Sequence, residues 1–381
     1  MKIAFNGQRF AGQRFGVGRY LEYLLRHWAT MLRDDESVSV FVRRPLEADM
    51  ARLHPRIVPE LLESAMSGIP WENLRLRSPA RRHDVLFCPA YTAPIGYRGR
   101  LVVATHSVNE SQPGMHSWAY RQGYARLHHH CARLADMVIV PAESTRDEVM
   151  RHYGIPGNRI AIVAQGADDA FRPTTDESLK RSVRERYFGH DRPYILFVGK
   201  CSERRNIPML LRAFARLRHE DGVPHGLLLF GPNHENLPLV DLTRELDIED
   251  DVVQTDGRIA HHADLVPIYG AADLFVHPSE HEGWSITTVE ALACGTAVVA
   301  TNRGGLGEVA RGHALMVDEP SVEAFHHAMR QVLNDETLRI DLQRLARQRG
   351  QALRWDTLAR QTLDVIRDVA TGTRHPEVLS A

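Results

Sequence analysis

Short apolar segments alternate with amphipathic ones through the first half of the chain. Each apolar segment is bordered by polar residues, proline or glycine, which is typical of a buried strand. Between the first two of them, Leu21, Leu25 and Trp28 recur at helical spacing. We predict a helix there, a second helix at Glu143–Tyr153, and strands at Lys2–Asn6, Ser37–Val42, Val85–Cys88, Leu101–Ala104, Met137–Val140 and 159–164.

A polar segment separates this series from a second one of the same kind. Residues 171–193 carry a proline near each end, and we interpret them as an interdomain linker with a short helix at 176–187. Strands are then predicted at Tyr194–Val198, Gly226–Phe230, 251–254, Leu274–His277, 297–300 and 314–317, with a helix at 322–333.

This alternation predicts an α/β protein with two Rossmann-like, doubly wound parallel sheets, one in each domain. The domains are expected at 1–170 and 194–355, and a closing helix at about 356–370 is expected to pack back on the first. A ligand-binding cleft between the two domains is the default site.

Composition narrows the class of protein. With 381 residues, 43% hydrophobic and 25% charged side chains, the chain is expected to be globular and not disordered, collagen-like or coiled-coil. Its four cysteines are far apart, which favours reduced thiols. Since the sequence also shows neither an apolar stretch of about 18 residues nor a signal peptide, we expect a cytoplasmic protein.

The net charge of −1 conceals an asymmetry. Residues 1–165 hold 22 basic and 15 acidic side chains, a balance of +7, and the remainder holds 25 and 33, a balance of −8. Scattered solvated charges are one explanation. The other is a basic N-terminal half that faces an anionic acceptor or the inner face of the membrane, as a peripheral contact. We expect no nucleic-acid partner.

The densest candidate for chemistry lies between Ser279 and Glu308. A predicted strand ends in a polar loop, a helix opens at about 287, and Gly295 ends that helix. A helix N-terminus at a strand's carboxyl end suits a phosphate group. Two carboxylates, Glu282 and Glu290, are eight positions apart and could accept hydrogen bonds from sugar hydroxyls. A solvated loop Glu and a Glu that favours the helix dipole are the plain alternative.

This segment resembles the Glu-x7-Glu signature of the retaining GT-B glycosyltransferases of family 4. Further stretches fit the same family in the same order: Gly16 to Tyr20, Thr105 with His106, residues 155–160, Phe197 to Lys200 with Arg205 and Asn206, residues 271–279, and Trp355. The resemblance implies the GT-B fold, with an acceptor-side first domain and a second domain that binds the nucleotide-sugar.

The resemblance also assigns roles to single residues. It implies catalytic roles for His106, Lys200, Arg205 and Glu282, in which Lys200 and Arg205 hold the diphosphate and Glu282 contacts the donor sugar. Glu290 would bind the ribose hydroxyls. The remaining donor-binding residues would be Gly16, Gly18, Gly199, Gly283, Trp284, Ser285 and Ile286. No metal or cofactor is expected, because no acidic D-x-D pair lies in a suitable loop, and the nucleotide-sugar is a co-substrate.

Several positions depart from the family pattern. Trp284, Ser285 and Thr287 replace the usual phenylalanine, glycine and proline, Ser107 stands where many members have aspartate, and Lys200 replaces a frequent arginine. These changes affect the pocket's shape and so the identity of the donor.

The expected function is retaining transfer of a sugar from a nucleoside-diphosphate sugar to a hydroxyl of a glycan or lipid-linked acceptor, in polysaccharide or cell-surface glycan biosynthesis. A sugar-nucleotide epimerase of the same architecture and a non-catalytic sugar-nucleotide sensor are alternatives. An NAD-dependent oxidoreductase is disfavoured, because Leu21 occupies the third glycine position of the dinucleotide fingerprint.

Overall fold

The computed structural model describes residues 1–10, 16–109 and 121–373, without the side chains of residues 121 and 122. The chain divides into two compact units, one of residues 1–165 and 355–381 and the other of residues 166–354. The helix Trp355–Thr371 therefore belongs to the first unit. The segment expected to be a linker contains the helix Glu177–Phe188 and lies in the second unit.

The first unit is built on a parallel sheet of seven strands. They are β1 Lys2–Asn6, β2 Ser37–Val42, β3 Ile57–Leu61, β4 Val85–Cys88, β5 Leu101–Ala104, β6 Met137–Val140 and β7 Ile160–Ile162, in the order β3-β2-β1-β4-β5-β6-β7. The strand order reverses between β1 and β4. The helical segments are Val17–Trp28, Ala48–Ala51, Ile69–Trp71, Glu72–Leu76, Arg77–Ala80, Arg121–Ala125, Arg126–Leu134, Glu143–Tyr153 and Trp355–Thr371, with single turns at Gln8–Phe10 and Gly157–Arg159.

The closing helix is fixed to the first unit by polar contacts as well as by packing. Trp28 is fully buried, and its Nε1 donates a hydrogen bond to the carbonyl of Ala359 at 2.9 Å. The Arg367 guanidinium forms an ion pair with the carboxylate of Glu36 at 2.7 Å. These contacts join the last described helix to the first helix and to the turn before β2.

The second unit repeats the plan with six parallel strands. They are β8 Tyr194–Val198, β9 Gly226–Phe230, β10 Val252–Thr255, β11 Leu274–His277, β12 Val298–Thr301 and β13 Leu315–Val317, in the order β10-β9-β8-β11-β12-β13. Its helices are Glu177–Phe188, Ile207–His219, Leu239–Glu245, Leu265–Gly270, Ile286–Ala293, Gly304–Ala310, Val322–Asn334 and Glu336–Ala352, with single turns at Glu203–Arg205, Glu249–Asp251 and His262–Asp264.

The predicted fold class is confirmed: both sheets are parallel, doubly wound and Rossmann-like. The strand order of the second sheet reverses between β8 and β11. In such sheets ligands bind outside the carboxyl ends of the strands at the point of reversal. Among the helices that the structure describes, none has both the length and the apolar character that a membrane crossing requires.

Strand β3 was not predicted from the sequence. It lies at the edge of the first sheet, pairs only with β2 among the described strands, and contains Pro59, which donates no backbone hydrogen bond. Leu61 is 48% exposed. An edge strand with a proline and exposed apolar side chains has no clear hydrophobic pattern, so pattern alone does not find it.

Candidate functional site

The two loops that the sequence singled out meet at the reversal point of the second sheet. β8 runs into Gly199 and Lys200, and β11 runs into Pro278 and Ser279. The loop after β9 lies beside them, because a Cβ built on Gly231 would be 1.9 Å from the carbonyl oxygen of Gly199. A side chain at position 231 would therefore force the two loops apart.

Glu282 is held at this point by two arginines. Its Oε1 lies 3.0 Å from Arg204 Nη1 and 3.3 Å from Arg205 Nε. The hydroxyl of Ser279 donates to the same oxygen at 3.2 Å. Both arginines come from the single turn Glu203–Arg205, so the loop after β8 and the loop after β11 are joined through one carboxylate.

The arginines keep Glu282 ionised. Burial opposes ionisation, but the guanidinium groups of Arg204 and Arg205 outweigh it and hold the pKa of Glu282 well below its usual range. The His277 ring is 1% exposed, with Nε2 3.6 Å from Glu282 Oε1, and burial lowers its pKa. Glu282 is therefore a fixed negative charge and hydrogen-bond acceptor at neutral pH.

Lys200 differs from the two arginines because its side chain is exposed. Within the described ranges, its Nζ makes no hydrogen bond or ion pair; its carbonyl accepts a hydrogen bond from Arg205 Nη1 at 3.2 Å. Arg204 and Arg205 are paired with Glu282, and carboxylates of Glu203 and Glu235 also lie at this turn. Lys200 therefore supplies the cation that is exposed and still open to a ligand. An exposed cation beside two half-buried arginines suits an anionic ligand.

The helix Ile286–Ala293 begins at the same loop. Ser285 is its N-cap, with its hydroxyl accepting a hydrogen bond from the amide of Thr288 at 3.3 Å. The helix starts one residue before the predicted position. Gly305 packs closely on the loop, since its amide donates to the Glu282 carbonyl at 2.9 Å and a Cβ there would lie 2.1 Å from the Gly283 carbonyl oxygen.

Glu290 lies in the second turn of this helix and not in the first, as the sequence had indicated. It is fully buried. The Tyr269 hydroxyl donates to Oε2 at 2.8 Å, and Nε2 of His262 lies 2.9 Å from Oε1. The Phe171 ring packs against both partner rings, with centroids 4.9 Å from His262 and 6.0 Å from Tyr269. Glu290 therefore does not fit the plain alternative, in which it would only interact with the helix dipole from the first turn.

His106 lies in the first unit, after β5. Its Nε2 donates to the carbonyl of Pro89 at 2.7 Å, and its Nδ1 accepts from the Gln165 amide at 2.7 Å. Tyr20 and Tyr91 meet its ring edge to face, at 4.8 and 5.4 Å. Burial lowers the pKa of His106 to about 4. The imidazole is thus neutral with both nitrogens engaged, and its catalytic role stays a prediction.

The two N-terminal glycines also lie in the first unit, at the start of the helix Val17–Trp28. Gly16 has a φ of 39° and precedes the helix, and Gly18 is buried within it. Residues 11–15 of the predicted glycine-rich loop fall outside the described residues. The structure therefore brings Gly199, Lys200, Arg205, Glu282 and the predicted residues 283–286 together in one unit, and it places Gly16, Gly18 and His106 in the other.

Five further residues of the site were not predicted from the sequence. Arg204 could have been found beside Arg205 as a second cation in the same turn. His277 was included only as part of a strand, and Ser279 only as the start of a motif. Tyr269 and His262 gave no signal, because they reach Glu290 only through tertiary packing. In the described part of the chain, no group of acidic, histidine or cysteine side chains is arranged to hold a metal ion.

Comparison with known proteins bears on the same two regions. Residues 16–171 match the family model described as Glycosyltransferase Family 4, and residues 180–349 match the one described as Glycosyl transferases group 1. D-inositol 3-phosphate glycosyltransferase of Corynebacterium urealyticum is 33% identical over 257 residues, which are 64% of this chain and 60% of that protein. The chain thus spans less than two thirds of this curated relative.

Solved structures agree with the fold. Anabaena HepE in complex with UDP-glucose superposes with a TM-score of 0.77 at 17% identity, covering 97% of this chain and all of that one (100%). Sucrose-phosphate synthase from Thermosynechococcus elongatus gives a TM-score of 0.76 at 21% identity, with 97% and 99% covered. Because the matched family models together run through both units, which have the fold of these structures, the chain belongs to glycosyltransferase family 4 and has the two Rossmann-like units of the GT-B fold.

Proposed function

We propose that the protein transfers a sugar, with retention of configuration, from a nucleoside-diphosphate sugar to a hydroxyl group. The observation that carries this proposal is the cluster of three cations, Lys200, Arg204 and Arg205, at the reversal point of the second sheet, beside the N-terminus of the helix Ile286–Ala293. Both features favour a diphosphate. Family membership and the nucleotide-sugar complex of Anabaena HepE support the same donor class.

In this reaction the bond between the sugar C1 and a diphosphate oxygen breaks, and a bond from C1 to the acceptor oxygen forms on the same face. The acceptor's proton passes to the departing phosphate. Negative charge accumulates on the leaving group, so Lys200 and Arg205 would stabilise the transition state more than the ground state. Glu282, ionised and fixed, would accept hydrogen bonds from sugar hydroxyls, and Glu290 would accept them from the ribose.

A thermal-shift series with UDP, GDP, ADP, dTDP and NAD tests the donor class. Ligands that bind only the folded protein raise its midpoint according to their affinity, so we expect one nucleoside diphosphate to stabilise the chain more than the others. The stabilising nucleotide is then supplied as its sugar derivative, and hydrolysis of that derivative is measured. Stabilisation by NAD alone would contradict the proposal.

We further propose a glycan or lipid-linked acceptor, within polysaccharide or cell-surface glycan biosynthesis. Two similar proteins point instead to phosphorylated polyols or sugars, since one is a D-inositol 3-phosphate glycosyltransferase and the other a sucrose-phosphate synthase. Transfer assays with D-inositol 3-phosphate, methyl α-D-glucoside and octyl α-D-glucoside separate these classes. Preference for the octyl glycoside supports the lipid-linked acceptor. Preference for D-inositol 3-phosphate would contradict it and indicate a phosphorylated acceptor instead.

We also propose that the protein is cytoplasmic and binds peripherally to the inner face of the membrane. The contact would be made by a surface of the first unit. Leu74 is 69% and Ile95 44% exposed. They lie close together, because the Ile95 amide donates to Asn73 Oδ1 at 2.9 Å. Arg75 follows Leu74 in the segment Glu72–Leu76, and Arg77 begins the next segment and donates to the Gly96 carbonyl at 3.1 Å, beside Ile95. Apolar tips with arginines beside them suit an anionic lipid surface.

Vesicle co-sedimentation tests this contact. We expect more protein to pellet with phosphatidylglycerol–phosphatidylcholine vesicles than with phosphatidylcholine alone, and Leu74→Glu to remove most of the difference. Val240→Glu is the matched control, because Val240 is 68% exposed against 69% for Leu74 and lies in the second unit. Each arginine near the surface contributes about 1 kcal/mol, so Arg75→Ser should weaken binding roughly fivefold. Equal pelleting with both vesicle types would contradict the contact.

A further inference from the structure

A buried carboxyl group joins the two strands at the reversal point of the first sheet. β1 ends at Asn6, and the loop after β4 contains Thr92. Glu72, in the helical segment Glu72–Leu76, connects them, because its Oε1 accepts hydrogen bonds from Asn6 Nδ2 and from Thr92 Oγ1, both at 2.8 Å. The reversal point of a doubly wound sheet is where ligands bind, so this connection lies where the first unit would meet its ligand.

The bond to Glu72 fixes what the Thr92 hydroxyl can do. A threonine hydroxyl has one proton, and here that proton is donated to Glu72. The oxygen can therefore only accept a hydrogen bond from any further partner. Thr92 is half-buried, whereas Glu72 is 1% exposed. A ligand group that reaches Thr92 must bring a donor, and a hydroxyl is the donor that a sugar or polyol offers.

The second carboxyl oxygen indicates that Glu72 does more than hold the fold together. Among the described residues, Oε2 of Glu72 is buried and has no hydrogen-bond partner. A buried polar atom without a partner costs about 1–3 kcal/mol, and burial also raises the pKa of Glu72. The hydrogen bonds from Asn6 and Thr92 use only Oε1, so they do not account for the second, buried oxygen.

The backbone and rings beside Thr92 are also unusual. Tyr91 has a φ of 65°, a left-handed conformation that costs free energy in a residue with a bulky side chain and is concentrated at binding sites. Its ring stacks on His128 at 4.9 Å and meets the His106 ring at 5.4 Å. Aromatic walls beside a few fixed polar groups are the usual composition of small-molecule sites.

We propose that Thr92, positioned by Glu72, binds a hydroxyl group of the sugar acceptor. Thr92 is the specificity-determining residue, and Glu72 is a positioning residue that acts through it. This inference rests on the proposed transfer of a sugar to a hydroxyl, and it names the group of the first unit that selects the acceptor.

Acceptor kinetics of four variants test the proposal. Thr92→Val removes the acceptor oxygen at nearly constant volume, whereas Thr92→Ser restores it. Glu72→Gln keeps a carbonyl that can accept from Thr92, whereas Glu72→Leu does not. The probes are D-inositol 3-phosphate, methyl α-D-glucoside and octyl α-D-glucoside, with the donor that stabilises the wild type. Donor hydrolysis without acceptor is measured in parallel, because a general loss of structure would lower it and loss of acceptor binding would not.

One lost hydrogen bond should raise the acceptor KM roughly 3- to 10-fold in Thr92→Val and Glu72→Leu, with donor KM and donor hydrolysis unchanged. Thr92→Ser and Glu72→Gln should stay within about twofold of the wild type. Should Glu72→Leu fail to fold, the Thr92 pair decides alone. An unchanged acceptor KM in Thr92→Val overturns the inference while the transfer function stands. No transfer by the wild type to any probe overturns the proposed function and this inference with it.

Discussion

Replacing Lys200 with alanine is expected to lower kcat about 100- to 1000-fold, the usual loss when one preorganised group that stabilises developing negative charge is removed. The structure gives the reason. Arg204 and Arg205 are paired with Glu282, whereas Lys200 is exposed and its Nζ has no partner among the described residues. Lys200 is therefore the cation best able to contact the diphosphate as negative charge accumulates on it during departure.

This prediction is specific because it expects a change in kcat and little change in donor binding. Dissociation constants of the nucleoside diphosphate and the KM of the donor should change much less than kcat. Lys200→Arg should recover part of the activity, because it restores the charge with a different geometry. Lys180→Ala is the matched control, since Lys180 lies in the same unit and pairs with Glu177 at 2.7 Å on the helix Glu177–Phe188. Equal kcat in Lys200→Ala and Lys180→Ala would remove Lys200 from the catalytic residues.

Replacing Glu290 with glutamine is expected to weaken nucleoside-diphosphate binding about 10- to 100-fold. Glutamine keeps the volume but replaces one carboxyl oxygen with an amide group that only donates, so hydrogen bonds from two ribose hydroxyls, each of about 0.5–1.5 kcal/mol, would be lost or weakened. Glu290 is fully buried, and Tyr269 and His262 fix the direction of its carboxylate. Such an acceptor is already oriented before the ribose arrives.

Comparing a nucleoside diphosphate with its 2′-deoxy form tests whether the loss of binding in Glu290→Gln comes from contacts with the ribose hydroxyls. Calorimetry with the stabilising nucleoside diphosphate and its 2′-deoxy form should show a preference for ribose in the wild type, and Glu290→Gln should remove most of it. Glu323→Gln serves as the control, because Glu323 lies in the same unit with its side chain 73% exposed. If Glu290→Gln binds both nucleotides as tightly as the wild type, the ribose is bound elsewhere.

The sequence was sufficient for the elements whose burial is uniform. The strand Tyr194–Val198 is a continuous apolar run, and Lys2–Asn6 has an apolar centre between its two polar ends; the bounds of both agree with the structure. The bounds shifted by one residue in Val252–Thr255, where polar and apolar residues mix. They also shifted by one residue in Val298–Thr301, where the buried apolar run already begins at Ala297 and the pattern does not mark the start of the strand. The helical segment from Ile69 to Ala80 was missed, because Pro70 and Pro79 interrupt its pattern.

The site was predictable only as far as it is local in sequence. Lys200 and Glu282 are part of motifs, and the resemblance to family 4 selected them. Glu282 pairs with Arg204 and Arg205, and Arg205 is 77 residues away from it in the sequence. Glu290 accepts a hydrogen bond from Tyr269, which is 21 residues away. Such contacts depend on which loops the sheet order brings together, and neither spacing nor composition encodes that order.

The anomeric configuration of the product tests the central claim most directly. The donor selected by thermal shift is supplied as its α-linked nucleotide-sugar with the best acceptor probe, and the product is followed by proton NMR from the first turnover. We predict an α-linked product and stoichiometric release of the nucleoside diphosphate. A β-linked product would contradict retention, and interconversion of nucleotide-sugars without an acceptor would contradict glycosyl transfer altogether.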